Sequence, residues 1–323
     1  MKIFIIGGAG YIGSHMVKIA HKAGHDVTTI DNLSTGHQDA VLYGEFELCD
    51  ILDTVKLDKL FKKHKPDAVM HFSAYSLVGE SVSDPYKYYN NNVSGTLSLL
   101  KAMIDNNCMK LIFSSSAAIF GNPEYIPIDE SHPKNPINPY GRSKQMVEEI
   151  LKDFESAYGL RYVSFRYFNA AGHDPEGGLS ERHNPETHLL PIIMQAANGQ
   201  RDSVSIFGSD YDTSDGTCVR DYIHVNDLSA AHLKGLDYLN SDNSQSSEFN
   251  LGNGKGFSVK EIIQKVREIS NNDFKIVEEE KREGDPSILI ANGSKANAEL
   301  KLEFVFSNIE DIIYTLFKKN DTG

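Results

Sequence analysis

The 323-residue chain contains no tryptophan and only three cysteines. Cys49, Cys108 and Cys218 lie far apart, with no C-x-x-C pair. So sparse and odd a count argues against a disulfide scaffold and fits a reducing, cytoplasmic setting. Long apolar runs are missing too. The opening Lys2-Ile3-Phe4-Ile5-Ile6 is too short for a signal peptide, and no run approaches a membrane span. Positive charge is scarce: 32 Lys and Arg stand against 45 Asp and Glu, a formal net charge of −13. That balance argues against nucleic acid or an anionic membrane as partner. Any phosphate-bearing ligand must be met by local cations or backbone N–H groups. Nor do the twelve histidines form a metal motif. His183 and His188 flank Glu186 in a loop, but no H-E-x-x-H and no Cys/His cluster exists, so no metal is expected.

What is present is an alternation of short apolar runs and amphipathic stretches. Residues 3–6, 26–30, 46–48, 68–72, 111–113 and 162–165 read as strands, several apolar at consecutive positions as in strands covered on both faces. Residues 86–106 and 140–158 read as helices between them. This pattern predicts an α/β fold: a Rossmann-type, doubly wound parallel sheet that binds ligands beyond its strand ends. After about residue 168 the rhythm changes. A Gly-, Pro- and charge-rich loop spans 174–186, and a smaller α/β substrate lobe follows. Its expected strands are 205–207, 222–225, 249–251 and 288–290, and its helices 188–198, 227–239, 259–269 and 309–317. Ser258 and Glu261 form a capping box at the third of these helices. A polar surface loop is expected at 240–247. The expected division is 1–168 for the dinucleotide domain and 169–323 for the lobe, with part of about 218–250 crossing back.

Gly7, Gly10 and Gly13 follow the first strand and open a helix. A Cβ there would hold a pyrophosphate away from the backbone N–H groups and the positive helix end. Asp31 ends the second strand, where a carboxylate can accept from both ribose hydroxyls and would repel a 2′-phosphate. NAD is therefore favoured over NADP. Asp50 and Ile51 end the third strand, at the place for an adenine. Phe72, Ser73 and Ala74 follow the fourth, where small residues admit a ribose or nicotinamide.

Tyr140 and Lys144 are four residues apart on one helical face, in a first turn marked by Asn138-Pro139. A tyrosine, ordinarily near pKa ~10, must be held down by ~4 kcal/mol to act as a base near neutral pH. The Lys144 ammonium, an oxidised nicotinamide and the helix N-terminus can combine to do so. Ser114-Ser115-Ser116 ends a buried strand. Three hydroxyls there suit a polar cleft in which Ser116 shares a hydrogen bond with the tyrosine and the reacting oxygen.

These motifs, with Asn91-Asn92-Val93-Ser94-Gly95-Thr96, Arg166-Tyr167-Phe168-Asn169, Val219-Arg220-Asp221-Tyr222 and Arg282-Glu283-Gly284-Asp285-Pro286, carry a resemblance. From residue 1 to about 300 the chain resembles the extended short-chain dehydrogenase/reductase superfamily and, within it, the UDP-glucose 4-epimerases of galactose metabolism. The resemblance implies an NAD-dependent isomerase that inverts C4 of a UDP-hexose through a 4-keto intermediate, with NAD tightly bound and not consumed. It implies catalytic roles for Ser116, Tyr140 and Lys144. It adds Tyr11, Ile12, Asn32, Asn91, Ser114 and Tyr167 to the cofactor site. It places Asn169, His188, Leu189, Phe207, Arg220, Arg282 and Asp285 on the UDP-sugar, and it implies a homodimer through helices 86–106 and 140–158. Leu289 matches the wall of the sugar pocket. Tyrosine there restricts the family to plain hexoses and smaller residues admit an N-acetyl group, so UDP-GlcNAc/UDP-GalNAc interconversion is a plausible second activity. Ile6 replaces the usual Thr, Ser73 a commoner Ala, and Leu302-Glu303 a Gly-Trp. None of these touches the chemistry. Alternatives are another NAD-dependent nucleotide-sugar enzyme and a non-catalytic NAD-binding protein. A dehydratase lacks its acid here, because Ala117 and Ala118 follow Ser116.

Overall fold

Residues 3–6 have no solvent-facing side. Ile3 and Ile5 enter one hydrophobic core, Phe4 and Ile6 a second. A strand that feeds two cores alternately must lie inside a sheet covered on both faces. The computed structural model, which describes residues 1–241, 245–282 and 284–317, contains that sheet. In chain order its first half runs β1 (Lys2–Ile6), α1 (Tyr11–Lys22), β2 (Asp26–Asp31), β3 (Glu45–Leu48), α2 (Thr54–His64), β4 (Ala68–His71), α3 (Val78–Ser83), α4 (Pro85–Tyr88), α5 (Thr96–Asp105), β5 (Lys110–Ser116), α6 (Pro139–Tyr158) and β6 (Arg161–Tyr167). The second half runs β7 (Asn169–Ala171), α7 (Leu189–Ala197), β8 (Ser203–Phe207), β9 (Val219–His224), α8 (Val225–Leu239), β10 (Ser247–Leu251), β11 (Gly256–Ser258), α9 (Val259–Ser270), β12 (Lys275–Glu279), β13 (Ile288–Leu289), α10 (Ser294–Leu300) and α11 (Ile309–Leu316).

The large sheet has seven strands in the order β10-β6-β5-β4-β1-β2-β3, all paired in parallel. Strand order reverses between β1 and β4, which opens a crevice at the carboxyl ends. β10 comes from the second half of the chain and pairs with β6, from Ser247 opposite Val163 to Leu251 opposite Tyr167. α8 travels with it: Leu228, Ala231 and Leu236 share a core with Ile3 and Met16. The other elements form two small sheets, β11-β9-β13 with β7 added to β9, and β12-β8. Ile193, Val204, Ile262 and Ile312 belong to their separate core.

Several local expectations change. Helix 86–106 is not one α-helix: α4 and α5 are joined by the π-helical turn Tyr89–Gly95. There Asn92 is buried and bonds both backbone groups of Tyr75 and the Ser143 hydroxyl. β5 runs on through Ser116, three residues beyond the expected end, and carries Ser114–Ser116 alongside Phe165–Tyr167. β10 starts at Ser247, which shortens the loop expected at 240–247. Residues 242–244 and Glu283 lie outside the described residues. Edge strand β12 and the short β7, β11 and α10 had no clear apolar signal. The Ser258–Glu261 capping box forms as expected.

His232 on α8 is fully buried among Phe72, Phe165 and Tyr167. Burial pushes its pKa down to about 4, although the bond to the Leu228 carbonyl pulls upward. The folded chain therefore binds this proton less readily than the unfolded one. The stability it contributes is present above the unfolded value of ~6.5 and is lost as pH falls toward the folded value. H232F is expected to flatten the fall in melting temperature across that window. An acid limb identical to the parent's would show that His232 does not contribute to it.

Candidate active site

The glycine turn is closed by backbone rather than by side chains. Gly7 has φ +78°, and a Cβ on it would stand 2.6 Å from the Ser73 nitrogen. A Cβ on Gly13 would stand 2.1 Å from the Gly7 carbonyl oxygen. These two glycines are thus required by the turn itself, whatever ligand their backbone meets. Gly10 differs: a Cβ there meets only the Gly7 oxygen, at 3.4 Å. It stands at the N-cap of α1, open toward the crevice, and is the position whose missing side chain leaves room for a phosphate. Ile12 and Gly13 follow in the first turn of α1. The Tyr11 hydroxyl is already committed, donating to the Gly172 carbonyl (2.5 Å).

Asp31 ends β2 beside this turn. Its carboxylate accepts from the Ala9 N–H (3.0 Å) and the Leu33 N–H (2.8 Å), one to each oxygen. Burial pushes its pKa up while these donors hold it down. Each oxygen keeps a lone pair, so the group fits the ribose diol of a dinucleotide. Asn32 and Asp50 bond to each other at 2.8 Å at the ends of β2 and β3, with Ile51 next in chain. Ile51 packs into the space left by Gly95. Phe72, Ser73 and Ala74 leave β4 directly over Gly7. Asn91 bonds Asn92 within the π-helical turn. Asn92, singled out by no chemical signal, is what ties that turn to α6.

Ser116, Tyr140 and Lys144 meet where β5 ends and α6 begins. Asn138 caps α6, accepting from the Gly141 N–H (2.9 Å). Lys144 is buried, and its ammonium donates to the Ser114 carbonyl (2.7 Å), 5.9 Å from the centre of the Tyr140 ring. The Ser116 hydroxyl accepts from the Ala118 N–H (3.1 Å) and stands near enough to Tyr140 to favour its ionised form. Strand parity separates the three serines. Ser114 bonds the Tyr167 hydroxyl, whereas Ser115 turns to the opposite face and donates to Glu148 (2.6 Å). The expectation of three hydroxyls in one cleft therefore fails for Ser115. Desolvation pushes Tyr140 up, with the Ser116 hydroxyl pulling down. Burial also pushes Lys144 down to about 7.

The lobe residues lie on adjoining elements. Asn169 begins β7 two residues after Tyr167. Arg220 on β9 pairs with Asp285, not with its neighbour Asp221. Asp221 is instead buried under the backbone N–H groups of Asn253, Gly254 and Ala291. The Arg282 guanidinium stacks 3.7 Å over the Phe207 ring. Leu289 is in register with Arg220 and packs against the cluster of Ala117, Ile119, Phe120 and Ile128 that follows Ser116. Leu189 opens α7, and His188 precedes it in a cluster with Glu181, His183 and Glu186. Burial alone would lower both imidazoles, but the hydrogen bonds to these carboxylates raise His183 to about 9 and His188 to about 10. The expectation of solvated or locally satisfied histidines did not include Glu181.

Residues 3–252 match the model of the NAD dependent epimerase/dehydratase family. A UDP-glucose 4-epimerase of Halalkalibacterium halodurans is 49% identical over 97% of this chain and 93% of its own. Among solved structures, UDP-glucose 4-epimerase from Brucella ovis in complex with NAD superposes with a TM-score of 0.94. It is 46% identical, covering 97% of this chain and 96% of that one. The UDP-Glc/GlcNAc 4-epimerase of Campylobacter jejuni gives a TM-score of 0.85 at 42% identity, covering 98% of each chain.

The contrast between the glycines is testable. Gly10→Ala is expected to fold with an unchanged melting temperature in the cofactor-stripped protein but to retain less NAD on purification. Gly13→Ala is expected to lose thermal stability as well. Full NAD retention by Gly10→Ala would remove the pyrophosphate from this position.

Proposed function

The chain belongs to the NAD dependent epimerase/dehydratase family, and on that premise we propose that it interconverts UDP-glucose and UDP-galactose by inversion at C4. The carrying observation is the meeting of Ser116, Tyr140 and buried Lys144 at the crevice edge, beside the glycine turn and Asp31. Bound NAD+ supplies the hydride acceptor and, in the return direction, the donor. The protein's own residues handle the proton and the geometry. Tyr140 takes the proton of the sugar 4-hydroxyl, with Ser116 sharing the hydrogen bond, and gives it back after the 4-keto sugar has turned over. The frame opposes this ionisation, since burial raises Tyr140 and lowers Lys144. Charge brought into the crevice with the oxidised nicotinamide offsets that opposition.

Turning the hexose requires a firm hold on UDP and a loose one on the sugar. We assign the hold to Asn169, His188, Leu189, Phe207, Arg220, Arg282 and Asp285. The two guanidiniums answer the need for local cations in an acidic chain. Gly7, Gly10, Tyr11, Ile12, Gly13, Asp31, Asn32, Asp50, Ile51, Phe72, Ser73, Ala74, Asn91, Ser114 and Tyr167 are assigned to the dinucleotide. Leu289, packed on the cluster of Ala117, Ile119, Phe120 and Ile128, is assigned to the wall of the sugar pocket, where it leaves room for UDP-GlcNAc/UDP-GalNAc. We also place the lobe boundary at residues 168/169, with α8 and β10 belonging to the dinucleotide domain. All three cysteines are free and buried, which supports a reducing, cytoplasmic setting. No helix of the described residues is long and apolar enough to cross a membrane.

Proton NMR of the purified protein with UDP-galactose, without added cofactor, tests the reading. UDP-glucose should appear. Y140F should slow its appearance by ~10²–10⁴-fold. L289Y should abolish turnover of UDP-GalNAc and spare UDP-galactose. If UDP-galactose stays unchanged even with added NAD, the epimerase assignment fails.

A homodimer through the helical layer of α5 and α6 is proposed on the exposure of Leu97 and Met146 there. Light scattering should give the mass of two chains, reduced to one by a paired L97E/M146E substitution. A monomeric parent protein would end this proposal.

A further inference from the structure

The loop between β7 and α7 gathers four side chains from eight residues. Glu181 and Glu186 have nearly covered carboxylates, with side chains 3% and 6% exposed. The Nδ1 atoms of His183 and His188 both turn toward them. They lie 3.2 Å and 2.6 Å from the same Glu181 oxygen, and 3.6 Å and 3.5 Å from the Glu186 carboxylate. The two Nδ1 atoms are 3.3 Å from each other. All four donor atoms fall within 4.8 Å of one another. With both imidazoles protonated, as the two carboxylates favour, the arrangement holds two positive groups Nδ1 to Nδ1 over one Glu181 oxygen, and the His188 charge opposes that of His183.

The same distances suit a cation. A tetrahedron with metal–ligand arms of ~2.0–2.1 Å has edges of ~3.3 Å. Once a cation displaces their protons, the two imidazoles and two carboxylates match the charge of one divalent ion and the N/O preference of zinc. Glu186 is also held in place, because its Oε1, the oxygen facing the His188 ring, accepts from the Thr187 and His188 N–H groups (2.8 and 2.9 Å). We propose that Glu181, His183, Glu186 and His188 form a four-ligand site for a divalent transition-metal cation of the zinc type, its His188 edge partly exposed beside the residues assigned to the UDP-sugar.

The place of the site gives it a structural role. The loop that carries it lies across the glycine turn. Arg182, between two of the ligands, pairs with Asp39 (2.9 Å), and its carbonyl bonds the His37 ring (2.8 Å). His183 and Arg182 line the same small cavity as Gly10 and Tyr11. Tyr11 is tied to Gly172 where the loop begins. A cation clipping residues 181–188 together would hold this strap against the dinucleotide crevice without touching a reacting atom. A second grouping, Glu45, Glu47 and His64, is more exposed, and Glu47 already pairs with Lys63. It serves as a control.

The test uses the untagged full-length protein, stripped with a chelator and dialysed against Co²⁺ and, separately, Zn²⁺. One ion per chain by elemental analysis is expected, with the intense visible absorption of four-coordinate Co²⁺. H183A and E181Q should each weaken uptake by at least ~10-fold, and H64A should leave it unchanged. Zn²⁺ should also restore the melting temperature lowered by stripping, a readout that stands even if either variant fails to fold. No stoichiometric uptake, a six-coordinate Co²⁺ spectrum, or uptake that survives H183A and E181Q would overturn the proposal.

Discussion

One buried carboxylate holds the catalytic helix to the sheet. Glu148 lies on α6, four residues beyond Lys144 and eight beyond Tyr140, and has no solvent exposure. It accepts from Arg166 of β6 through two nitrogens (2.9 and 2.8 Å), from Ser115 of β5 (2.6 Å) and from Lys134 (2.9 Å). Arg166 in turn donates to the Glu130 carbonyl (3.3 Å). Breaking such a pair on one side costs ~3–5 kcal/mol, because the partner charge is left buried alone. Where hydrophobic packing tolerates a helix sliding, this two-pronged bond fixes rotation and height together. The geometry of Ser116, Tyr140 and Lys144 depends on that fixing.

The same burial that fixes the site works against its chemistry. A tyrosine beside a desolvated lysine is harder to ionise, and the lysine is less firmly charged, than either would be in water. On the proposed function, the folded chain is therefore poised but not activated, and the positive charge of an oxidised nicotinamide would supply what burial withholds. The acidic balance of the chain has a parallel consequence. On the proposed function, anionic ligands would be met locally, by the α1 N-terminus at Gly10 and by Arg220 and Arg282, rather than by a general field.

Much of the dinucleotide half was legible in the sequence because its strands are buried on both faces. Runs such as residues 3–6 announce themselves without any periodicity, and Asn138-Pro139 marks the start of α6 by its capping chemistry. The serine triplet was half legible. Alternation along a strand already separates Ser115 from Ser114 and Ser116, but only the packing of α6 shows that its face holds a carboxylate. The lobe was harder to read. β12 (Lys-Ile-Val-Glu-Glu) is a half-buried edge strand with little apolar signal, and the π-helical turn at Tyr89–Gly95 leaves a helical pattern unchanged in sequence.

The sequence by itself determined the parallel α/β frame, the glycine turn with its Asp31, and the pairing of Tyr140 with Lys144. Each depends on spacing within one element or on two elements adjacent in the chain. Only the tertiary structure decided that Arg220 answers Asp285 and that β10, at the end of the stretch expected to cross back, is the strand that pairs with β6. It alone showed that Gly10 is the glycine open to a ligand, and that Glu181 joins His183, Glu186 and His188. The physical reason is common to all four. They depend on where loops bring side chains and backbone in space, and nothing in residue spacing encodes the path of an irregular loop.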